Sequence, residues 1–481
     1  MSTNTIAAIA TGMTNSGIGI IRISGEDSFS VIDRIYKSSL IGKSKVLSEC
    51  SSHTVHYGYI CDGDEVVDEV MVVLMRAPRS YTKEDTIEIN CHGGVYVMDR
   101  VLQTVIKYGA RPAEPGEFTK RAFLNGRIDL AQAESVIDVI NSKNQYALQS
   151  SISQLRGFIS EDVRRIRAEL LHEIAYIESA LDDPEHISLD GYREQLILTI
   201  DREMEQINRI LQNSENGRML KEGIRTVILG KPNAGKSSLL NRMAGEERAI
   251  VTDVAGTTRD TLEEAVSFYG FTLIIIDTAG IHDTEDKVEQ IGIERARKAA
   301  ESADLILYVM DSSTLPDEND REILELIQSR ANDKNYIVLL NKSDLPSVTS
   351  LEDAEKFVCG HVISAETGED ISNFTGSPVI SFSAETGEGF SELEKTIRSM
   401  LFHGKVQFNE EVYLTNMRQK TAIENAYHSL TLVKESIDRG MPEDFYSIDL
   451  MDAYESLGKV IGESVGDDLV NEIFSKFCMG K

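Results

Sequence analysis

The sequence predicts a multidomain chain of α/β plus all-α class: an N-terminal α/β domain, a helical domain in two pieces, and a second α/β domain inserted between the pieces. Three observations lead there. The 481 residues exceed one compact core and suit two to four domains of roughly 100–200 residues. Hydrophobic residues make up 41% of the chain and charged residues 27%, an ordinary globular balance. The spacing of apolar residues also changes along the chain, from short β-branched runs to a helical period, back to short runs between helices, and to a helical period again.

Residues 1–118 read as mixed α/β. Apolar runs at Ile18–Ile23, Val66–Leu74 and Thr86–Cys91, separated by turn residues, predict strands. A helical pattern follows over Val95–Ile106, and Ala113-Glu-Pro-Gly-Glu117 punctuates its end. Over 119–220 Gly and Pro become sparse. Leu130, Ala133, Ile137 and Ile140 form one helical stripe, and Ile166, Leu170, Ile174 and Ile177 another. Asp182-Asp183-Pro184 breaks the pattern, which resumes over Leu196–Leu211. Over 221–404, runs at Arg225–Leu229, Thr272–Ile276, Leu305–Val309 and Tyr336–Leu340 alternate with helical stretches, the βαβ signature of a helix-covered parallel sheet. Over 405–481 the helical period returns at Ile423, Ala426, Leu430, Val433 and Ile437, then at Met451, Tyr454, Leu457 and Ile461. One interrupted helical domain explains this order more simply than two small ones.

Charge narrows the partners. Lys and Arg number 49 against 79 Asp and Glu, for a net −30. Non-specific nucleic-acid binding depends on phosphate neutralisation, so contact with nucleic acid requires a local basic patch or a partner. The five cysteines (Cys50, Cys61, Cys91, Cys359, Cys478) are far apart and form no C-x-x-C, which argues against a zinc site or disulfide framework. No stretch approaches the roughly 18 apolar residues of a membrane span. Residues 1–10 lack the basic region and long apolar core of a signal peptide, so a cytoplasmic protein without a membrane partner is expected.

Gly230-Lys-Pro-Asn-Ala-Gly-Lys-Ser237 fits G-x-x-x-x-G-K-[ST], for which a chain of this length gives about 0.02 chance matches. Val227–Leu229 precedes it as a strand and Ser238–Met243 follows as a helix. The glycines let backbone N–H groups face phosphate, and the helix N-terminus adds its dipole. Lys236 is expected to reach the β- and γ-phosphates and the Ser237 hydroxyl to ligate Mg²⁺.

Asn341-Lys342-Ser-Asp344 follows the strand Tyr336–Leu340 and selects the base. The Asp344 carboxylate can accept from guanine N1–H and N2–H₂, a donor pair that adenine lacks. Asp277-Thr278-Ala279-Gly280 ends the strand Thr272–Ile276; Asp277 can hold Mg²⁺ through water and the Gly280 N–H can meet the γ-phosphate. Between these motifs runs Thr252-Asp253-Val254-Ala255-Gly256-Thr257-Thr258, where a threonine commonly completes the Mg²⁺ shell; Thr258 is assigned that place. Together these mark a GTP-binding, translation-factor-like G domain. The last guanine contact has two candidates, because Ser-Ala-Glu-Thr-Gly-Glu occurs at Ser364–Glu369 and at Ser383–Glu388. The second follows the strand-like Pro378–Phe382 and precedes a helical stripe at Phe390, Leu393, Ile397 and Leu401, so Ser383, Ala384 and Glu385 are preferred. Residues 346–378 then read as a polar insertion forming a surface loop. The phosphate side takes Asn233, Ala234, Gly235 and Ser238 beside Lys236 and Ser237.

Ras-like P-loop domains place a Gln after the D-x-x-G glycine to orient the attacking water. Ile281 stands there and cannot. The acids Glu285, Asp286 and Glu289 lie just downstream, as a solvated face or as a replacement for that Gln. No arginine finger is evident, and a monovalent cation can supply the missing charge.

Several further strings resemble the tRNA modification GTPase family called MnmE or TrmE. They are Ile18-Gly-Ile-Ile-Arg-Ile-Ser-Gly25, Ser80-Tyr-Thr-Lys-Glu-Asp85, His92-Gly-Gly94, the run from Pro115 to Glu134, Gly256-Thr-Thr-Arg-Asp260 and the terminal Phe477-Cys-Met-Gly-Lys481. The likeness spans essentially the whole chain. It implies a homodimeric GTPase that joins a flavoprotein, MnmG or GidA, in a heterotetramer. That assembly modifies C5 of the wobble uridine of certain tRNAs, with a carboxymethylaminomethyl or aminomethyl group as product and a folate-borne one-carbon unit as the source of the methylene. The tRNA would be bound largely with the partner. The absence of a G-x-G-x-x-G after a strand agrees with a flavin carried by the partner.

The resemblance also implies residue roles. Asn233 would bind K⁺, with Thr252, Val254 and Thr257 completing the shell in place of an arginine finger. Glu289 matches the family's water-orienting acid and joins Lys236 and Asp277 as a catalytic residue. Arg22, Glu88 and Arg127 match positions that contact 5-formyl- or 5,10-methylene-tetrahydrofolate, with Lys481 and Cys478 near it; Cys478 is tied to the modification chemistry. A cation can pair with the glutamate tail of folate, and a carboxylate can accept from its pterin. Departures are Thr11–Gly17, where the family has a segment rich in Pro, Gly and Arg, the long insertion before Ser383, and His282 at a position often Arg. The tail from Met441 carries nine acids and three lysines, which argues against a tRNA surface of its own. Two other readings are a G-protein switch in ribosome assembly, which lacks its usual RNA-binding end here, and a folate-dependent transferase with a purely regulatory G domain.

Overall fold

Alternation of apolar residues builds the first sheet of the computed structural model, which describes residues 4–39, 45–246, 264–276, 299–328, 335–359, 378–402, 414, 416–463, 465–477 and 480. The chain runs through β1 (Ile6–Ile9), β2 (Ser16–Ser24), α1 (Ser28–Ile35), β3 (Tyr36–Lys37), β4 (Thr54–Asp62), β5 (Glu65–Met75), β6 (Thr86–Gly93), α2 (Val95–Lys107) and β7 (Arg111–Pro112). The seven strands lie in the order β3-β4-β5-β6-β2-β1-β7, antiparallel except for β1 beside β7. A period of two sends Ile21, Ile23, Val70, Val72, Leu74, Ile87 and Ile89 to one face. There they pack on Val31, Ile32 and Ile35 of α1 and Met98, Val101 and Val105 of α2. The opposite parity places Arg22 directly across from Glu88. The strand β4 has no counterpart in the sequence expectation. Its inward parity carries His56 and Gly58 before Ile60, and a side chain at 58 would stand 2.5 Å from the Lys37 carbonyl.

Helices follow as α3 (Glu117–Leu124), α4 (Leu130–Asn141), α5 (Gln145–Arg156), α6 (Phe158–Asp182) and α7 (Tyr192–Glu222). The α6 stripe Ile166, Leu170, Ile174 and Ile177 is buried as expected, whereas Ile140 at the end of the α4 stripe is 45% exposed.

The second sheet comes from β8 (Ile224–Gly230), β9 (Glu264–Phe268), β10 (Phe271–Ile275), β11 (Leu305–Asp311), β12 (Asn335–Asn341) and β13 (Val379–Ser381). Its helices are α8 (Lys236–Glu246), α9 (Glu318–Gln328), α10 (Leu351–Cys359) and α11 (Phe390–Phe402). Strand order is β13-β12-β11-β8-β10-β9. Five strands are parallel, and β9 is antiparallel to β10, so the expected parallel sheet has an antiparallel edge. Tyr269 (φ +46°) and Gly270 (φ +84°) both adopt the left-handed conformation that a two-residue hairpin turn requires. Both sheet faces are covered. Ile228, Leu307 and Leu339 pack with α8 and α11, while Val227, Tyr308 and Val338 pack with α9 and α10.

The helix α10 corrects the surface-loop expectation for 346–378. Its charges Glu352, Asp353, Glu355 and Lys356 hide an apolar stripe at Ala354, Phe357 and Val358, which faces the sheet. Residues 360–377, including the first Ser-Ala-Glu copy, lie outside the described residues.

The chain closes with α12 (Met417–Asp438), α13 (Glu443–Ile461) and α14 (Asp467–Ser475). The α12 stripe is buried as expected, but α13 buries Tyr446, Leu450, Ala453, Leu457 and Ile461 and leaves Met451 38% exposed. Arg167 of α6 donates to the Tyr454 carbonyl at 3.1 Å, covers the Tyr454 ring at 4.0 Å and pairs with Glu463. Two compact units result. The first takes Met1–Ile137, Gln154–Met204 and Thr421–Lys481; the second takes Asp138–Ser153 and Glu205–Lys420.

Candidate functional site

In the second unit the parallel strands β8, β12 and β13 end on the same edge of the sheet, and their following loops meet there. Gly230 ends β8 at φ +153°, and a Cβ there would lie 2.4 Å from the Val309 carbonyl. Asn233 (φ +62°) and Gly235 (φ +105°) turn the loop before α8 starts at Lys236. A Cβ on Gly235 would meet Asn341 Nδ2 at 2.1 Å. These geometries give the motif glycines a physical reason. Ser237 and Ser238 then occupy the first turn of α8, where N–H groups and helix dipole favour an anion. Lys236 Nζ donates to the Gly230 and Lys231 carbonyls at 2.7 and 2.8 Å. Burial pushes the Lys236 ammonium pKa down.

Asn341, 3% exposed, joins the phosphate loop to the base side. Its Nδ2 donates to the Ala234 carbonyl at 2.8 Å, and its Oδ1 accepts from the Ala384 N–H at 2.9 Å. Asp344 Oδ1 accepts from the buried Ser383 hydroxyl at 2.5 Å. The Ser383 oxygen also receives the Thr386 N–H at 3.1 Å. The second Ser-Ala-Glu copy therefore stands beside Asn341 and Asp344, with Glu385 exposed at its edge.

Two further residues shape this site and were missed in the sequence. Asp311, at the end of β11, holds Lys342 Nζ at 2.6 Å. Arg242 of α8 donates to the Glu385 and Thr386 carbonyls at 3.0 and 3.2 Å, bracing the loop after β13. Asp311 had a signal in its place at a strand's carboxyl end; Arg242 had none, because helix surfaces often carry arginine. Thr252, Asp253, Val254, Ala255, Gly256, Thr257, Thr258, Asp277, Thr278, Ala279, Gly280 and Glu289 lie outside the described residues.

A second cluster forms in the first unit. Arg22 Nε donates to Glu88 Oε1 at 2.9 Å, and its Nη1 donates to the Gly480 carbonyl at 3.3 Å. The Arg22 guanidinium lies 5.4 Å from the Tyr81 ring centre and 5.6 Å from that of Phe118; Arg127 lies 4.6 Å from Tyr81. Arg22 and Arg127, far apart in sequence, thus share the Tyr81 ring, and Glu88 joins them through its ion pair with Arg22. Gly480 has φ +86°, and a Cβ on it would stand 2.2 Å from the Ile9 carbonyl. Cys478 and Lys481 lie outside the described residues. Tyr81 and Phe118 sit inside strings that the sequence reading quoted without giving either a role.

Among the described residues no helix is long and apolar enough to cross a membrane. The family model described as MnmE helical domain matches residues 130–478, and that described as GTP-binding protein TrmE N-terminus matches residues 5–127. A tRNA modification GTPase MnmE from Lachnoclostridium phytofermentans is 56% identical over 481 residues, covering 100% of both chains. One from Acetivibrio thermocellus is 45% identical over 480 residues, covering 99% of both. One from Bacillus subtilis is 42% identical over 481 residues, covering 99% of this chain and 100% of the relative.

Proposed function

The chain belongs to the MnmE family of tRNA modification GTPases, and from that premise we propose a K⁺-stimulated GTP hydrolase working with the flavoprotein MnmG (GidA). Its product is a carboxymethylaminomethyl or aminomethyl group at C5 of the wobble uridine of certain tRNAs, built with a folate one-carbon unit. The observation that carries the nucleotide part is Asn341, whose one amide bridges the phosphate loop and the Ser383–Glu385 loop. In this reading the Asp344 carboxylate, which takes the Ser383 hydroxyl, accepts the paired donors of guanine.

The loop fits a phosphate group: positive-φ residues at 233 and 235 and the start of α8 at Lys236 form a cradle of N–H donors. Lys236 gives its charge to the phosphate oxygens, and the Ser237 hydroxyl, with Thr258, offers hard oxygens suited to Mg²⁺. The Asn233 side-chain oxygen suits K⁺ in the same way, with Thr252, Val254 and Thr257. Bound there, the two cations supply positive charge against the phosphates. Glu289 orients the attacking water, and Asp277 supports the Mg²⁺ shell.

Folate is proposed for the first unit, in 5-formyl or 5,10-methylene form. Arg22 and Arg127 offer cations to its glutamate tail, Glu88 accepts from its pterin, and Tyr81 offers an aromatic face. Lys481 is proposed to join the folate contacts, and Cys478 to serve the modification chemistry. The arrangement proposed is a folate-binding and dimerising domain over 1–118, a helical domain over 119–220 and 405–481, and an inserted G domain over 221–404. The assembly is a cytoplasmic homodimer that forms a heterotetramer with the flavoprotein and binds tRNA with it.

The test is GTP hydrolysis by the purified chain in K⁺ and in Na⁺ at equal ionic strength. Faster turnover in K⁺, lost in Asn233→Ala, is the expected result. Equal rates in both salts would remove the cation from the reading.

A further inference from the structure

Lys231 fills an x position of the phosphate-loop motif, yet its side chain is only 16% exposed. Its Nζ lies 2.6 Å from Asp320 Oδ2 and 2.9 Å from Asp317 Oδ2. Those carboxylates also cap α9 reciprocally. Asp317 Oδ1 accepts from the N–H groups of Asn319 and Asp320 at 3.1 and 3.2 Å, and Asp320 Oδ2 accepts from the Asp317 N–H at 3.0 Å. Asp320 is 1% exposed, and its Oδ1 takes the Tyr308 hydroxyl at 2.7 Å. Tyr308 is fully buried in the centre of the sheet. The Lys231 ammonium is therefore held by a carboxylate that helix and strand both fix, unlike an exposed ion pair, which contributes little. Burial works against the Lys231 charge, but the two carboxylates outweigh it and raise its pKa.

The main chain of Lys231 faces the other way. Its carbonyl accepts from Lys236 Nζ at 2.8 Å and from the Ala234 N–H at 3.3 Å. One residue thus grips α9 through its side chain and supports the phosphate-binding lysine through its backbone. We propose that Lys231, seated on Asp320, is a positioning residue for GTP: it holds the first half of the phosphate loop in its binding shape before the nucleotide arrives. Preorganisation of this kind adds affinity by removing an ordering cost from the binding step. The inference rests on the reading of this loop as the nucleotide site.

The experiment uses the full chain as Lys231→Met, Asp320→Asn and Lys231→Arg. Affinity for a fluorescent GDP, the kcat and KM of GTP hydrolysis, and melting without nucleotide are measured for each. Lys231→Met and Asp320→Asn are expected to lose about tenfold in affinity and to raise KM by a similar factor, with kcat less affected. Lys231→Arg is expected to restore most of the affinity, since it keeps the charge. Melting without nucleotide is expected to fall in Lys231→Met, which leaves the buried Asp320 carboxylate without its cation, so GDP affinity is compared well below each melting point, where every variant is folded. Unchanged GDP affinity in Lys231→Met overturns the proposal, as does a loss that tracks melting and is not rescued by arginine. If the parent chain itself fails to bind GDP, the nucleotide reading fails and the positioning role falls with it.

Discussion

Glu117 shows how much one residue can organise. It is nearly buried at the start of α3 and accepts from Arg111, from Arg121 at 2.9 Å and from the Glu114 N–H at 2.9 Å. Arg121 continues the network to Glu84, whose carboxylate also accepts from the Ser24 hydroxyl at 2.7 Å. Burial alone would push the Glu117 carboxyl up, but the donors from Arg111, Glu114 and Arg121 outweigh it and hold the pKa below the ordinary value of 4.5. A depressed folded-state value means stability that is fully present above the unfolded pKa and lost as pH falls through the folded one. Glu117→Gln is therefore expected to cost about 2 kcal/mol at pH 7, by loss of charge-assisted bonds. The gap from the parent should shrink as pH falls below about 4.5. Urea unfolding of both chains at pH 7 and pH 4 checks this; a gap that stays constant would contradict it.

Whole elements were legible where the apolar period was unmixed. The strands β2, β5, β6, β8, β11 and β12 and the helices α2 and α6 all carry it cleanly, and the structure places them within a few residues of the expected bounds. The loops that meet at the phosphate edge were readable for a different reason, since their glycines and polar residues are fixed by backbone geometry rather than by burial. Illegible elements had one face occupied by something other than hydrocarbon. In β4 that face holds His56 and Gly58, and β9 is turned by Tyr269-Gly270 rather than by the Asn-Gly or Asp-Gly that a hairpin search favours. The helix α10 was hidden by its charges, and its buried stripe supplies a test. Ala354→Asp sets an unpaired carboxylate against the sheet and is expected to cost about 3 kcal/mol or more, while the exposed Glu355→Ala stays within about 0.5 kcal/mol. Thermal melting of the two variants decides it; equal tolerance would return this segment to a surface loop.

At the scale of the molecule, residues from the two ends of the sequence meet in the first unit. The glycine at 480 lies against Ile9, the last residue of the first strand, and Ala10 just after it, with its carbonyl on Arg22. Gly480→Ala combines a strained φ with a 2.2 Å approach to backbone, so the tail is expected to lift from the sheet edge. Faster release of the last residues by a carboxypeptidase, with melting little changed, is the expected readout. Resistance equal to the parent would mean that the tail finds another seat.

The three-segment make-up of that unit has a consequence for how the protein is made. The seven-stranded sheet is contained within residues 6–112 and can form early in synthesis. The apolar stripe of α6 has no such luck in timing, because Tyr454 and Glu463, its partners through Arg167, leave the ribosome almost 300 residues later. At about 5–20 residues per second, Arg167 waits on the order of 15–60 s for those partners. During that interval α6 has α7 beside it but not α13, and a chaperone that shields this stretch would have its work finished only when the last helices emerge.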